Sequence, residues 1–440
     1  MQEQVTTCWG RIERVKHAVA SPRFLDEAES TVRSHGSGTI LPVGKRRSYG
    51  DTVLNSGGAL LDTTKLDRII CFDRQSGILA AEAGLTIDEA LHIVVPHGWF
   101  FNTTPGTRFV TLGGAVANDV HGKNHHHSGS FGCGVRRICL VRSDGTTHVL
   151  DARDDSELFR ATIGGLGLTG FISWVEVQLV RIPSARLRVE RVSFGNLSDF
   201  FILAGESGET HEHTVAWIDC ANGGRALGRG IFQRGNWNPS NDHMPHPRGT
   251  KAAVPLEAPT WLLSRSTVRA FNSLYWRKQQ SGPAVSDVHY GSFFYPLDAI
   301  RDWNLLYGRS GFYQYQCVVP PQSAEPAVRE LVSQIVKSGA GSFLAVLKTF
   351  GSIPSIGYLS FPMEGATLAL DFANRGQRTL DLLSRLDDVV REARGRLYPA
   401  KDGRMPARVF REGYGPRLAA FESQLDPAVR SNFWARVTGE

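Results

Sequence analysis

"PGTRFVTLGGAVANDVHGKNHHHSGSFG", Pro105 to Gly132, places four histidines between positions 121 and 127 and then runs out into glycine and serine. A histidine run is the usual first sign of a metal site. His121 and His125 have i,i+4 spacing, but Gly122 and the Ser-Gly-Ser-Phe-Gly that follows argue against a helix. No glutamate occupies the zincin position and no group of Cys or Asp lies nearby, so no metal is expected. The glycines are the better guide. Gly106, Gly113 and Gly114 expose backbone N–H groups, and an earlier loop, "PVGKRRSYGDT" (Pro42 to Thr52), does the same through Gly44 and Gly50. Two such loops, carrying Arg47, Ser48, Thr107 and Thr111, can cradle a pyrophosphate without a Rossmann helix. The pattern is that of a dinucleotide held between two loops.

A third glycine motif, "GLGLTG" (Gly165 to Gly170), matches G-x-G-x-x-G letter for letter. A Rossmann fingerprint follows a strand and opens a helix. Here helical "DSELFRATIG" precedes it and strand-like "FISWVEV" follows, so a glycine-rich turn lining another site is expected.

Around these loops the chain reads as α+β. "FLDEAESTVRSHG" has helical spacing and stops at glycine; "GTILPVG", "GALLDTT", "RIICFD" and "GILAAEAG" are strand-length apolar runs. "TIDEALHIVVPHG" opens with a capping box from Thr86 to Glu89. "VRRICLVRSDGTTHVLD" predicts a hairpin through Ser143-Asp144-Gly145, and "FISWVEVQLVRI" a strand with Val175, Val177 and Leu179 on one side. Pro183 marks a boundary. Strands "RLRVERVSF" and "TVAWIDC" follow, then a stretch from about Asn222 to Pro259, dense in Gly, Pro, Asn and His, that predicts a mobile surface loop. Strands at "GFYQYQCVVP", "SFLAVLKTFG" and "ATLALDFA" and helices at "EPAVRELVSQIVKSG" and "TLDLLSRLDDVVREARG" lead into "RLYPAKDGR".

At 440 residues the chain predicts two or three domains. Its 41% hydrophobic and 21% charged content excludes general disorder. No apolar run reaches the ~18 residues of a membrane span. The polar start "MQEQVTTCWGRIERVK" predicts no Sec signal, which makes the cytoplasm, or the cytoplasmic face of a membrane, the expected location. Six scattered cysteines without Cys-x-x-Cys read as thiols in a reducing compartment. The net charge of +6 points to an anionic partner, a phosphorylated substrate or lipid surface; without a basic run or a nucleic-acid signature, nucleic acid is not expected.

The order "RSYGD", "PGTR", "HGKNHH…GSFG", "GLTG" and "YPAKD" resembles the vanillyl-alcohol-oxidase/p-cresol-methylhydroxylase flavoprotein superfamily. The likeness runs nearly end to end, through "WGR" at Trp9, "AWID" at Trp217, "QYQ" at Gln314 and "LSFP" at Leu359. It implies a two-domain PCMH-type fold: a FAD-binding domain of residues 1–185 completed by 396–440, and a substrate domain of 186–395 on an antiparallel sheet. FAD contacts would fall on Pro42, Gly44, Arg47, Ser48, Tyr49, Gly50 and Asp51, then on Gly106, Thr107, Thr111, Gly113 and Gly114. Asn118, Asp119, His121, Gly122, Ile172 and Tyr398 would complete them. The first loop has no histidine of the kind many relatives use as a covalent tether, so the FAD would be non-covalent. Substrate contacts would be Lys123, Trp217, Phe294, Gln314, Gln316, Lys348, Phe350, Thr367 and Lys401, with Lys401, His121 and Tyr49 at the chemistry. Ala369 stands where some members carry a cysteine, and Phe294 and Thr367 replace more polar residues.

The branch it most resembles oxidises the 2′-hydroxyl of a polyprenyl-phosphoryl-β-D-ribose, the first half of an epimerisation to the arabinose form completed by a separate NAD(P)H-dependent short-chain reductase. Such a substrate would bring peripheral membrane contact. An oxidase of free sugars, alditols or aldonolactones, and a non-catalytic nucleotide- or nucleic-acid-binding protein, stay open. So does Lys401, as a base or as a stabilising cation.

Overall fold

The computed structural model describes residues 1–440 apart from 35–37, 248, 251, 281–283 and 440. Three large sheets organise it, beside a two-stranded pairing of Ala252–Ala253 with Ile300–Arg301. The first has four strands in the order Gln2–Thr7, Arg14–Ala20, Ala59–Asp62, Ile40–Val43, the first pair antiparallel and the others parallel. The second runs Ile69–Asp73, Ile78–Glu82, Phe171–Arg181, Val135–Val141, Thr147–Asp151, with Trp99–Phe101 also paired to Phe171–Arg181. The predicted hairpin and the strand at 171 are present, and Val175, Val177 and Leu179 are all buried. Helix Ile87–Val94 starts with both halves of the capping box made, and helix Leu25–Arg33 forms, while its expected glycine stop, Gly36, lies outside the described residues.

The third sheet is antiparallel throughout: Val285–His289, Arg186–Phe194, Gly230–Trp237, His213–Ile218, Ala345–Phe350, Gly365–Ala373, Phe312–Val319, Arg396–Leu397. Period-2 alternation decides its use. In Gly365–Ala373, Ala366, Leu368, Leu370 and Phe372 enter the main core, beneath helices Leu197–Gly208, Ala324–Ser338 and Gln377–Glu392. Thr367 and Ala369 point the other way, as do Gln314, Gln316, Val346 and Lys348 on the neighbouring strands, and all six line one cleft. Helix Gln377–Glu392 buries Leu382, Leu383, Leu386 and Val390 on one side, each worth about 1.5–3 kcal/mol.

Two expectations need correction. The stretch from Asn222 to Pro259 is not one loop. Gly230–Trp237 is a central strand, its glycines required by close neighbours: a Cβ on Gly230 would lie 2.2 Å from the Trp217 carbonyl oxygen. The following segment is tied down, since buried His246 hydrogen-bonds Asp88 at 2.7 Å and also Tyr290. The histidine run, expected to be non-helical, makes one helical turn at His125–Ser128, which leaves His121 outside it.

Candidate active site

The first loop leaves strand Ile40–Val43 with Gly44 pressed against Thr111, where a Cβ would come within 2.3 Å of Oγ1. Arg46 adopts φ 49°, and among the described residues the amides of 45–48 find no hydrogen-bond acceptor. Buried Arg47 Nε also lacks a partner, while its guanidinium lies 4.1 Å from the Trp9 ring centroid. An unpaired nest of amides beside arginine suits an anion. Thr111 of the second loop caps helix Leu112–Ala117 by accepting from Gly114 N at 3.1 Å, and Gly106 faces open space. Gly122 is packed within 2.5 Å of Thr103 Oγ1 measured from a built Cβ.

The C-terminal segment closes the site. Tyr49 N donates to Ala400 O (3.0 Å), Tyr398 N to Gln316 O (2.9 Å), and Tyr398 OH to Asn118 O (2.9 Å). Lys401 thereby arrives with Nζ 3.8 Å from the Tyr49 ring centroid. These parts enclose a cleft of about 1290 Å³, above the roughly 300–1,000 Å³ of a single small-molecule pocket. Leu166, Gly167 and Gly170 of "GLGLTG" line it as a turn between helix Glu157–Thr162 and strand Phe171–Arg181, the order that the Rossmann reading forbids.

Beside exposed Lys45, three half-buried lysines face the cleft. Lys348 Nζ donates to Gly122 O at 3.1 Å, and Lys123 donates to Phe293 O with its ammonium 4.3 Å from that ring's centroid. Burial pushes Lys401 down to about 7, with Asp371 opposing and Lys348 reinforcing. Burial and then Lys348 lower Lys123 to about 7, and burial lowers Lys348 to about 8. Asp371, raised by burial to about 7, accepts from Gln314 Nε2 at 2.7 Å and Tyr307 OH at 3.4 Å. Gln316 donates to His121 Nε2 at 2.8 Å and to Thr367 Oγ1 at 3.3 Å, which puts the His121 proton on its buried, unpartnered Nδ1. Burial, then Lys348, His125 and Lys401, keep that ring neutral.

Most of the sequence-derived residues therefore converge. Pro42, Gly44, Arg47, Ser48, Tyr49, Gly106, Thr107, Thr111, Gly113, Gly114, Asn118, His121, Gly122, Ile172 and Tyr398 line the cleft. Lys123, Trp217, Phe294, Gln314, Gln316, Lys348, Thr367 and Lys401 do so as well. Four do not, and each supports a neighbour. A Cβ on Gly50 would sit 1.5 Å from the Asp402 carbonyl oxygen, so Gly50 lets the C-terminal segment close. Asp51 pairs with Arg436 (2.8 Å), which also holds Asp402 (2.9 Å). Asp119 is buried at φ 39° and accepts from Gly132 N at 2.8 Å. Phe350 packs against the His121 and His125 rings. Sequence reasoning missed Asp371, although the alternation Thr367, Ala369, Asp371 was available to reveal it.

The unpaired amides, the orphaned Arg47 Nε and the open space at Gly106 fit FAD: residues 45–48 and 106–107 would hold the pyrophosphate, and FAD supplies a hydride acceptor. Residues 17–151, which contain both glycine loops, match the family model described as a FAD binding domain. The decaprenylphosphoryl-beta-D-ribose oxidase of Mycolicibacterium smegmatis is 34% identical over 93% of this chain and 91% of its own. An uncharacterized protein of Streptomyces coelicolor is 30% identical over 73% of this chain and 90% of its own. The D-arabinono-1,4-lactone oxidase of Kluyveromyces lactis is 23% identical over 60% and 47%. With loops, cleft and relatives in agreement, the chain belongs to the FAD-dependent oxidoreductases of the PCMH-type FAD-binding fold, which act on CH–OH groups.

Proposed function

We propose that the protein oxidises the 2′-hydroxyl of a polyprenyl-phosphoryl-β-D-ribose to the 2′-keto sugar, for reduction to the arabinose form by a separate NAD(P)H-dependent reductase. One observation carries the reading. Lys123, Lys348 and Lys401 share a cleft whose wall continues through apolar Trp217, Ile231, Val268 and Tyr275, so phosphate and lipid chain each have a surface. A free sugar or an aldonolactone would use only part of it. The 34% identity to an enzyme named for that substrate supports the same choice.

In this reading residues 1–185 and 396–440 hold FAD, and 186–395 present the substrate. Lys348 and Lys123 take the phosphate. Gln314, fixed by Asp371, and Gln316, fixed by His121, orient the sugar. Lys401, with its ammonium near 7, takes the hydroxyl proton as the C2′ hydride departs. Neutral His121 and the Tyr49 ring wall the reacting carbon from water.

Anaerobic bleaching of the flavin, measured across polyprenyl-phospho-ribose, free pentoses, alditols and aldonolactones, tests this directly. The lipid-linked ribose should bleach it fastest. Faster bleaching by a free sugar or lactone would replace the reading.

A further inference from the structure

Between Glu257 and Asp287 the chain has no acidic residue and four basic ones, Arg265, Arg269, Arg277 and Lys278. All four lie on helix Arg265–Gln280 and are exposed. Among its described residues the helix buries only Val268 and Asn272, and its outward surface includes Phe271, 49% exposed, and Leu274, 66% exposed. A lone exposed leucine needs no explanation, but apolar side chains on a helix flanked by cations of one sign do. The flanking acids are already occupied: Asp302 pairs with Arg301 at 3.4 Å, and Glu257 with Arg11 and, at 3.3 Å, with Arg309.

The same helix forms the mouth of the cleft. Phe271 lines the cleft and faces outward at once, and Ile300 and Leu262, both partly exposed, line it too. A run of rings joins the sheet to the surface: Trp217 meets Tyr275 at 4.8 Å between centroids, and Tyr275 stacks on Phe271 at 6.1 Å. The apolar wall inside thus continues without interruption to the apolar, cationic surface outside.

We propose that helix Arg265–Gln280 docks on an anionic lipid bilayer. Phe271 and Leu274 enter the acyl boundary, Arg265, Arg269 and Arg277 meet the headgroups, and the cleft mouth opens at headgroup level. A lipid-linked sugar phosphate can then pass from membrane to cleft with its chain kept out of water. The docking stands on this helix alone; the cargo rests on the proposed substrate.

The test is sedimentation of the FAD-loaded, full-length protein with vesicles of phosphatidylcholine alone or with roughly one-third phosphatidylglycerol. Anionic vesicles should bind it about tenfold or more better than neutral ones, with loss at high salt, and Leu274→Asp and Arg277→Gln should each lower that binding several-fold. Neither residue lines the cleft, so both variants should keep their flavin and its bleaching by a short-chain, soluble prenyl-phospho-ribose. Equal binding to neutral vesicles, or unchanged binding by both variants, would overturn the proposal. A protein that docks but is not bleached by any prenyl-phospho-ribose overturns the substrate reading and leaves the docking surface in place.

Discussion

Replacing Lys401 tests the chemistry most sharply. Its ammonium sits 3.8 Å from the Tyr49 ring centroid and is lowered by burial to about 7, far from the 10.5 of a free lysine. A base must be unprotonated, so activity rises with pH. At saturating substrate, where the bound phosphate keeps Lys123 and Lys348 protonated, the rate of flavin reduction should climb about tenfold per pH unit below 7, reach roughly half its plateau near 7, and flatten by 8. Lys401→Ala removes the proton acceptor and should slow reduction by roughly 10²- to 10⁴-fold across that range, with FAD still bound, since the two glycine loops are untouched. Lys401→Arg keeps a cation that cannot deprotonate, so it should be as slow as alanine and lose the pH limb. The assay is anaerobic stopped-flow bleaching between pH 5.5 and 9. A profile flat through 7, or an arginine variant near the parental rate, would refute the base and leave a stabilising cation. Parental rates in Lys401→Ala would remove the residue from the mechanism.

Acid precipitation should release the flavin into the supernatant, because no histidine lies in the first loop and the cleft-lining His121 is engaged by Gln316; colour in the pellet would show a covalent bond. Limited proteolysis should cut first within 252–263, where Leu256 is 77% exposed, whereas first cleavage at 105–132 would contradict the packing of the glycine loops. Arg436→Met should leave buried Asp51 without its cation, while Asp402 keeps Arg404 and the amide of Met405, and cost about 3 kcal/mol, read as a lower denaturant midpoint; an unchanged midpoint would show that the Asp51 pair carries no stability.

Much of this was legible because periodicity and caps are local. The strands on either side of the first glycine loop and the one after the second, the Thr86 capping box and the hairpin at 143–145 each follow from a short stretch of sequence. The strand Gly230–Trp237 was hidden by its own requirements: Gly230 and Gly235 are demanded by neighbouring strands, and in the sequence they read as a loop. Helix Arg265–Gln280 was missed because a helix that spends one side on a cleft and another on the surface buries too little for an apolar period to appear. Site residues were legible as motifs but not one by one. "RSYGD" says that five residues build a corner; only three dimensions show that Arg47, Ser48 and Tyr49 face inward while Gly50 and Asp51 hold the corner shut.

That corner fixes when the enzyme can become active. Asp51 meets Arg436 across 385 positions, and Tyr49 meets Ala400 across nearly as many, so the flavin site has no floor until the last tenth of the chain is made. Contacts so distant in sequence form late. A chain stopped short of residue 396 can build every glycine loop and still lack Tyr398, Lys401 and the partner of Asp51. The cleft therefore closes only once residues 396–436 have been made, and a chain without them lacks the lysine proposed as its base.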